Sequence, residues 1–83
     1  MSTNNYTVYA IWSTTRNYLY IGLTSELEAR LHRHNSGLER TTRPYAPFVL
    51  IYKEDVLNRQ EARVREKYWK TAAGRRKLRK MIH

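Results

Sequence analysis

The spacing of apolar residues changes several times along the chain, and each change predicts an element. Residues 6–12, YTVYAIW, are aromatic and β-branched and predict a strand. Residues 13–17, STTRN, carry turn chemistry, and residues 18–22, YLYIG, predict the returning strand of a hairpin. The period then becomes helical. Leu27 and Leu31 stand one turn apart, Ser25 and Glu28 have the spacing of a capping box that starts a helix near Glu26, and Gly37 is placed to stop it. Residues 38–47 contain both prolines and predict a basic loop. Residues 48–53, FVLIYK, show no polar alternation and predict a third strand buried on both faces. Asn58 and Glu61 mark a second helix start, ahead of EARVREKYWKTAA. Gly74 should interrupt that helix, with a short, very basic helix over residues 75–82. The order β-β-α-β-α-α predicts an α+β fold, a small three-stranded antiparallel sheet flanked by helices.

Composition narrows this picture. The 83 residues suffice for one domain spanning 1–83, and a chain this short buries only about 60% of the surface it exposes when unfolded. With no cysteine, no disulfide partner or thiolate metal site is expected. No apolar run is long enough to span a bilayer and no signal peptide is apparent, so a soluble, cytoplasmic protein without a membrane partner is expected. Charge adds a partner. Lys and Arg number 16 against seven acids, a formal charge of +9. The excess is concentrated late: residues 54–83 hold ten basic residues and four acids, whereas residues 1–25 hold only Arg16. Such a stripe is either a solvated face or the footprint of a polyanion-binding protein, with nucleic acid the leading partner.

Several chemistries are excluded. There is no glycine-rich phosphate loop and no H-E-x-x-H. His32 and His34 are two apart on the first helix, so they diverge and cannot share a metal. What remains is a stripe on that helix: Leu27, Arg30, Leu31 and His34 stand at i, i+3, i+4 and i+7. Either Arg30 pairs with Glu26 and His34 caps the helix end, or both serve a pocket at the edge of the packing. In the hairpin, pairing Ile11 with Tyr18 would set Tyr9 opposite Tyr20 on one face, and a slip of one residue would separate them. On the second helix Glu66 shares a stripe with Ala62 and Trp69. It is either a surface partner of Lys70 or an inward carboxylate that requires a cation beside it.

In this order and at these spacings, the residues resemble the GIY-YIG nuclease family. Thr7-Val8-Tyr9 corresponds to the first motif segment and Tyr20-Ile21-Gly22 to the second, with ten residues between the two tyrosines. LEARLHRHNSG looks like the family's first helix, where an arginine precedes a histidine or tyrosine by four positions. EARVREKYWK looks like the helix that carries the metal-binding glutamate, which falls on Glu66. The small stand-alone members, similar to the nuclease domain of the excision-repair incision subunit, are the best match. Thr7 departs from the motif glycine, and the asparagine that many members carry beyond the glutamate has no counterpart after Asn58.

The resemblance implies a DNA endonuclease that hydrolyses phosphodiesters with Mg²⁺, or Mn²⁺, held by Glu66. It implies Arg30 as the phosphate clamp, Tyr9 as general base or proton relay, His34 as a further relay, and Tyr20 as a second positioning hydroxyl. Tyr9 would need a neighbouring cation or acceptor to work near neutrality. The phosphate backbone would lie on Arg40, Arg43, Arg75, Arg76, Lys77, Arg79 and Lys80, giving weak sequence specificity or a structural preference. The competing expectation is a non-catalytic nucleic-acid-binding module that uses tyrosines as stacking platforms.

Overall fold

Residues 5–82 are described by a computed structural model of the chain. The elements are β1 (Tyr6–Ser13), β2 (Leu19–Thr24), α1 (Leu27–Asn35), a 3₁₀ turn (Arg43–Tyr45), β3 (Phe48–Val56), α2 (Arg59–Trp69) and α3 (Ala72–Arg79). This is the expected α+β order, and the sheet is three-stranded and antiparallel with the strand order β2-β1-β3. No helix among the described residues is long and apolar enough to cross a membrane.

β1 is the central strand, and it is β1 that is buried on both faces. Val8, Tyr9, Ala10 and Ile11 are each at most 1% exposed. Alternation sends Val8 and Ala10 to one face, where Leu19, Ile21, Ala62, Trp69 and Leu78 complete an apolar core under α2 and α3. Tyr9 and Ile11 face the other way, toward Phe48, Tyr20 and the Leu27 and Leu31 stripe of α1.

The expectation for β3 is therefore corrected. It lies at the edge of the sheet, with Val49 47% and Leu50 40% exposed. Its lack of alternation has another cause: the register runs from Ala10↔Tyr52 to Ile11↔Leu50 and skips Ile51, a bulge that resets which face each residue meets.

The hairpin register also differs from the expected one. Ile11 pairs with Tyr20, and Tyr9 pairs with Gly22. The shift is two residues, so parity survives and Tyr9 and Tyr20 still share a face, now as diagonal neighbours. The longer turn is organised by Ser13, whose Oγ accepts the N–H groups of Thr15 (3.2 Å) and Arg16 (3.0 Å) and donates to the Tyr45 carbonyl (2.7 Å).

Helix ends follow local chemistry, with two corrections. The Ser25–Glu28 capping box does not form. Thr24 Oγ1 instead accepts the Glu26 N–H at 2.9 Å, and Glu26 stands at the cap without a side-chain bond. Gly74 does not interrupt a helix but lies inside α3. The break falls at Lys70–Thr71, where Thr71 Oγ1 accepts the Gly74 N–H at 3.1 Å. Two other expectations hold. Asn58 Oδ1 accepts the Glu61 N–H at 2.8 Å, and Gly37, with φ of 74°, closes α1 by donating to the His34 carbonyl.

Candidate active site

The α1 stripe meets the hairpin on the Tyr9 face of the sheet. His34, 1% exposed, is drawn fully into the packing, with its ring centroid 5.9 Å from Tyr9, 5.0 Å from Tyr20 and 5.9 Å from Phe48. Its two nitrogens are both engaged. Nε2 lies 2.9 Å from Tyr9 Oη, and Nδ1 lies 2.8 Å from Thr42 Oγ1. His34 thus holds no helix cap. Arg30 pairs with Glu39 at 3.6 Å rather than with Glu26, and about a third of its side chain is open to solvent.

Gly22 makes room for this cluster. A Cβ built there would lie 2.7 Å from Tyr9 Oη and 3.0 Å from Tyr20 Cε2, so the Tyr9 ring lies directly across the strand backbone. Thr7, in place of the motif glycine, sits at the rim, where its hydroxyl donates to Asp55 Oδ1 at 2.8 Å.

The electrostatics follow from burial. Desolvation pushes the Tyr9 phenol well above the usual tyrosine range, aided by Tyr20 and opposed by the Arg30 guanidinium. Tyr20 is raised for the same reason, with Arg30 opposing and the Glu66 carboxylate adding to the rise. Burial lowers His34, and Glu39 counters part of that effect. The cluster at neutral pH is therefore two protonated phenols and a neutral imidazole, with Arg30 as its adjacent cation.

Glu66 approaches from the α2 side, near enough to Tyr20 to act on its titration. Its partner is Lys70, at 3.2 Å, the i,i+4 surface pairing rather than a separate inward cation, and the Glu66 side chain is partly sheltered. Among the described residues no three His, Cys, Asp or Glu side chains cluster as a metal cage. A single oxygen donor suits a hard cation that keeps most of its own waters, and Glu66 supplies one, so the residues fit Mg²⁺ or Mn²⁺.

The basic residues divide. Arg75 and Arg79 line a groove of about 390 Å³ along the free edge of β2, together with Asn17, Tyr18, Tyr20 and Lys70. Arg79 is fixed there by Asn17 Oδ1 at 3.0 Å and by the Trp12 ring, 5.4 Å away. Lys77 is drawn elsewhere, donating to Tyr68 Oη at 2.7 Å. Arg40, Arg43, Arg76 and Lys80 are exposed; Arg43 Nε donates to the Gly37 carbonyl at 2.9 Å and ties the loop to the end of α1. Glu39 and Thr42 join the cluster from that loop, and no periodic or motif signal in the sequence marks either of them. Asn17 and Tyr18 reach the groove from the end of the hairpin turn, and no motif in the sequence marks either of them.

Comparison with known proteins finds relatives and a family for the chain. A UPF0213 protein from Staphylococcus haemolyticus is 42% identical over 67 residues, covering 80% of each chain. A UPF0213 protein from Clostridium perfringens is 41% identical over 61 residues, covering 72% of this chain and 66% of its own. One from Desulfotalea psychrophila is 40% identical over 50 residues, 58% of this chain and 46% of its own. No solved structure matches the chain. The GIY-YIG catalytic domain matches residues 5–79, nearly the whole length, and the chain belongs to that family of nuclease domains.

Proposed function

We propose that the protein is a metal-dependent DNA endonuclease with weak sequence specificity or a preference for substrate structure. The observation that carries this reading is the buried contact of Tyr9 Oη with His34 Nε2 at 2.9 Å, flanked by Arg30. A phenol raised by burial is a poor standing base. It is a competent relay when an acceptor is already in place. The attacking water gives its proton to Tyr9 Oη as Tyr9 passes its own to His34 Nε2, so no free phenolate accumulates. Both expected neighbours are in place: His34 Nε2 is the acceptor, and Arg30 is the cation, whose pull on Tyr9 burial outweighs. Arg30 offers permanent charge and planar donors to a non-bridging phosphate oxygen, for which its pairing with Glu39 must loosen. Tyr20 places a second hydroxyl beside the reacting phosphate. Glu66 would hold Mg²⁺ or Mn²⁺, which when bound supplies positive charge for the leaving 3′ oxygen. The groove with Lys70, Arg75 and Arg79 carries the DNA backbone past Tyr20.

The test is nicking of supercoiled plasmid, single-stranded DNA and branched DNA with Mg²⁺, Mn²⁺ or chelator. Wild type should cut only with metal. Glu66→Ala should lose roughly 100-fold or more in rate, the equivalent of about 3 kcal/mol or more, while still binding DNA. A wild type that binds but cuts none of the substrates would establish a non-catalytic nucleic-acid-binding module instead.

A further inference from the structure

Thr42 has no charge, lies in an irregular loop and is 1% exposed. Its Oγ1 sits between His34 Nδ1, at 2.8 Å, and the Glu39 carbonyl, at 3.5 Å. That carbonyl also accepts the N–H groups of Thr42 (3.2 Å) and Arg43 (2.9 Å), which closes a tight turn and fixes where the hydroxyl points. The turn is pinned further by Arg33, which donates to Glu39 Oε2 at 2.8 Å.

The direction of the hydrogen-bonded chain can be read from its two ends. A carbonyl only accepts, so a Thr42 hydroxyl that points its proton at Glu39 leaves its lone pair to receive His34 Nδ1–H. At the other end, Arg30 carries donors only, so among the described residues the acceptor for the buried Tyr9 hydroxyl proton is His34 Nε2. Both ends select one neutral form of the ring, protonated at Nδ1 and bare at Nε2.

We propose that Thr42 is a positioning residue that holds His34 in this tautomer, aiming the Nε2 lone pair at Tyr9 Oη. The inference rests on the reading of Tyr9 and His34 as a proton relay. A ring flipped to the other tautomer would donate to Tyr9 rather than accept from it, and the relay would have nowhere to deliver its proton. The charged and titratable groups facing His34 are Tyr9 from β1, Tyr20 from β2, Arg30 and Arg33 from α1, and Glu39 from the loop; β3 contributes only Phe48.

The experiment combines ¹⁵N spectra of the histidine rings with nicking kinetics over pH, for wild type, Thr42→Ser and Thr42→Val. In wild type His34 should be neutral at pH 7 with its proton on Nδ1, and kcat should fall as acid protonates the ring. Thr42→Ser keeps the hydroxyl and should keep the tautomer, with kcat within about threefold of wild type. Thr42→Val has the same shape without the hydroxyl. It should populate the Nε2–H form and lose about 10- to 100-fold in kcat at unchanged KM, up to the lower end of what a positioned proton acceptor contributes. Its acid limb should move to lower pH, because Nδ1–H no longer has an acceptor that favours the charged ring. A wild-type ring protonated at Nε2 would overturn the proposal. So would a Thr42→Val protein that keeps the wild-type tautomer, kcat and acid limb while wild type cuts normally. A wild type that cuts nothing would overturn the nuclease reading, and the relay with it. Ring spectra are read on folded protein, so a destabilised Thr42→Val is separated from a misdirected one, with Thr42→Ser as the rescue.

Discussion

Gly22 shows how one atom's absence shapes the site. Its Cα faces the Tyr9 ring so closely that a methyl group would lie 2.7 Å from the hydroxyl and 2.9 Å from Cζ. The phenol cannot retreat, because His34 and Phe48 fill the space behind it. Gly22→Ala should therefore cost about 1–3 kcal/mol of stability by overpacking, read from urea denaturation, and should lower kcat more than it changes KM. A wild-type kcat would mean that the Tyr9–His34 contact is not needed for turnover. The residues proposed to carry chemistry were legible in the sequence where a repeat period marks them. Arg30, His34 and Glu66 break apolar stripes, and Tyr9 and Tyr20 occupy strand positions of like parity. Glu39 and Thr42 were not legible: they lie in a loop with no period, and only the folded turn brings the Thr42 hydroxyl to His34 and the Glu39 carboxylate to Arg30.

The elements were largely legible, and the misreadings share a cause. Strand and helix order follow from period, and the caps at Asn58 and Gly37 from local chemistry. Burial of a strand depends on its neighbours, so the apolar run in β3 predicted a centre that belongs to β1. Gly74 was misread for a similar reason. It spares a helix interior from collision rather than ending a helix. A Cβ there would lie 2.5 Å from the Tyr68 carbonyl oxygen and 2.6 Å from Trp69 Cα, both backbone atoms of α2 that cannot swing aside. At an exposed helical site, glycine to alanine gains about 1 kcal/mol. Here the sign should reverse. Gly74→Ala should lower the urea midpoint and weaken DNA binding together, because α3 carries Arg75 and Arg79 away from the groove as it moves off α2. A stabilised variant would show that the two helices have room to separate without loss.

For the molecule as a whole, the net charge of +9 was plain in the composition, but its geography was not. Of the basic residues on α3, only Arg75 and Arg79 line the groove beside Tyr20; Lys77 is committed to Tyr68. Binding to duplex DNA should weaken linearly in log affinity against log salt. Arg75→Ala combined with Arg79→Ala should reduce that slope by about 1.8, two phosphate contacts' worth. An unchanged slope in a titration would place the backbone on a different surface. Arg40 and Arg43, both exposed on the basic loop, offer the comparison pair for the same titration.

The two-faced central strand limits how this chain can change length. Val8 and Ala10 belong to the apolar core, while Tyr9 and Ile11 belong to the other side of the sheet. Inserting or deleting one residue in β1 would swap these assignments, sending Tyr9 into the packing under α2 and Val8 toward His34. Inserting two would restore the faces but slide Tyr9 away from the bare backbone at Gly22. β1 is thus locked to a single length by two independent requirements, and insertions that leave both faces in place are confined to the exposed turn at residues 14–17.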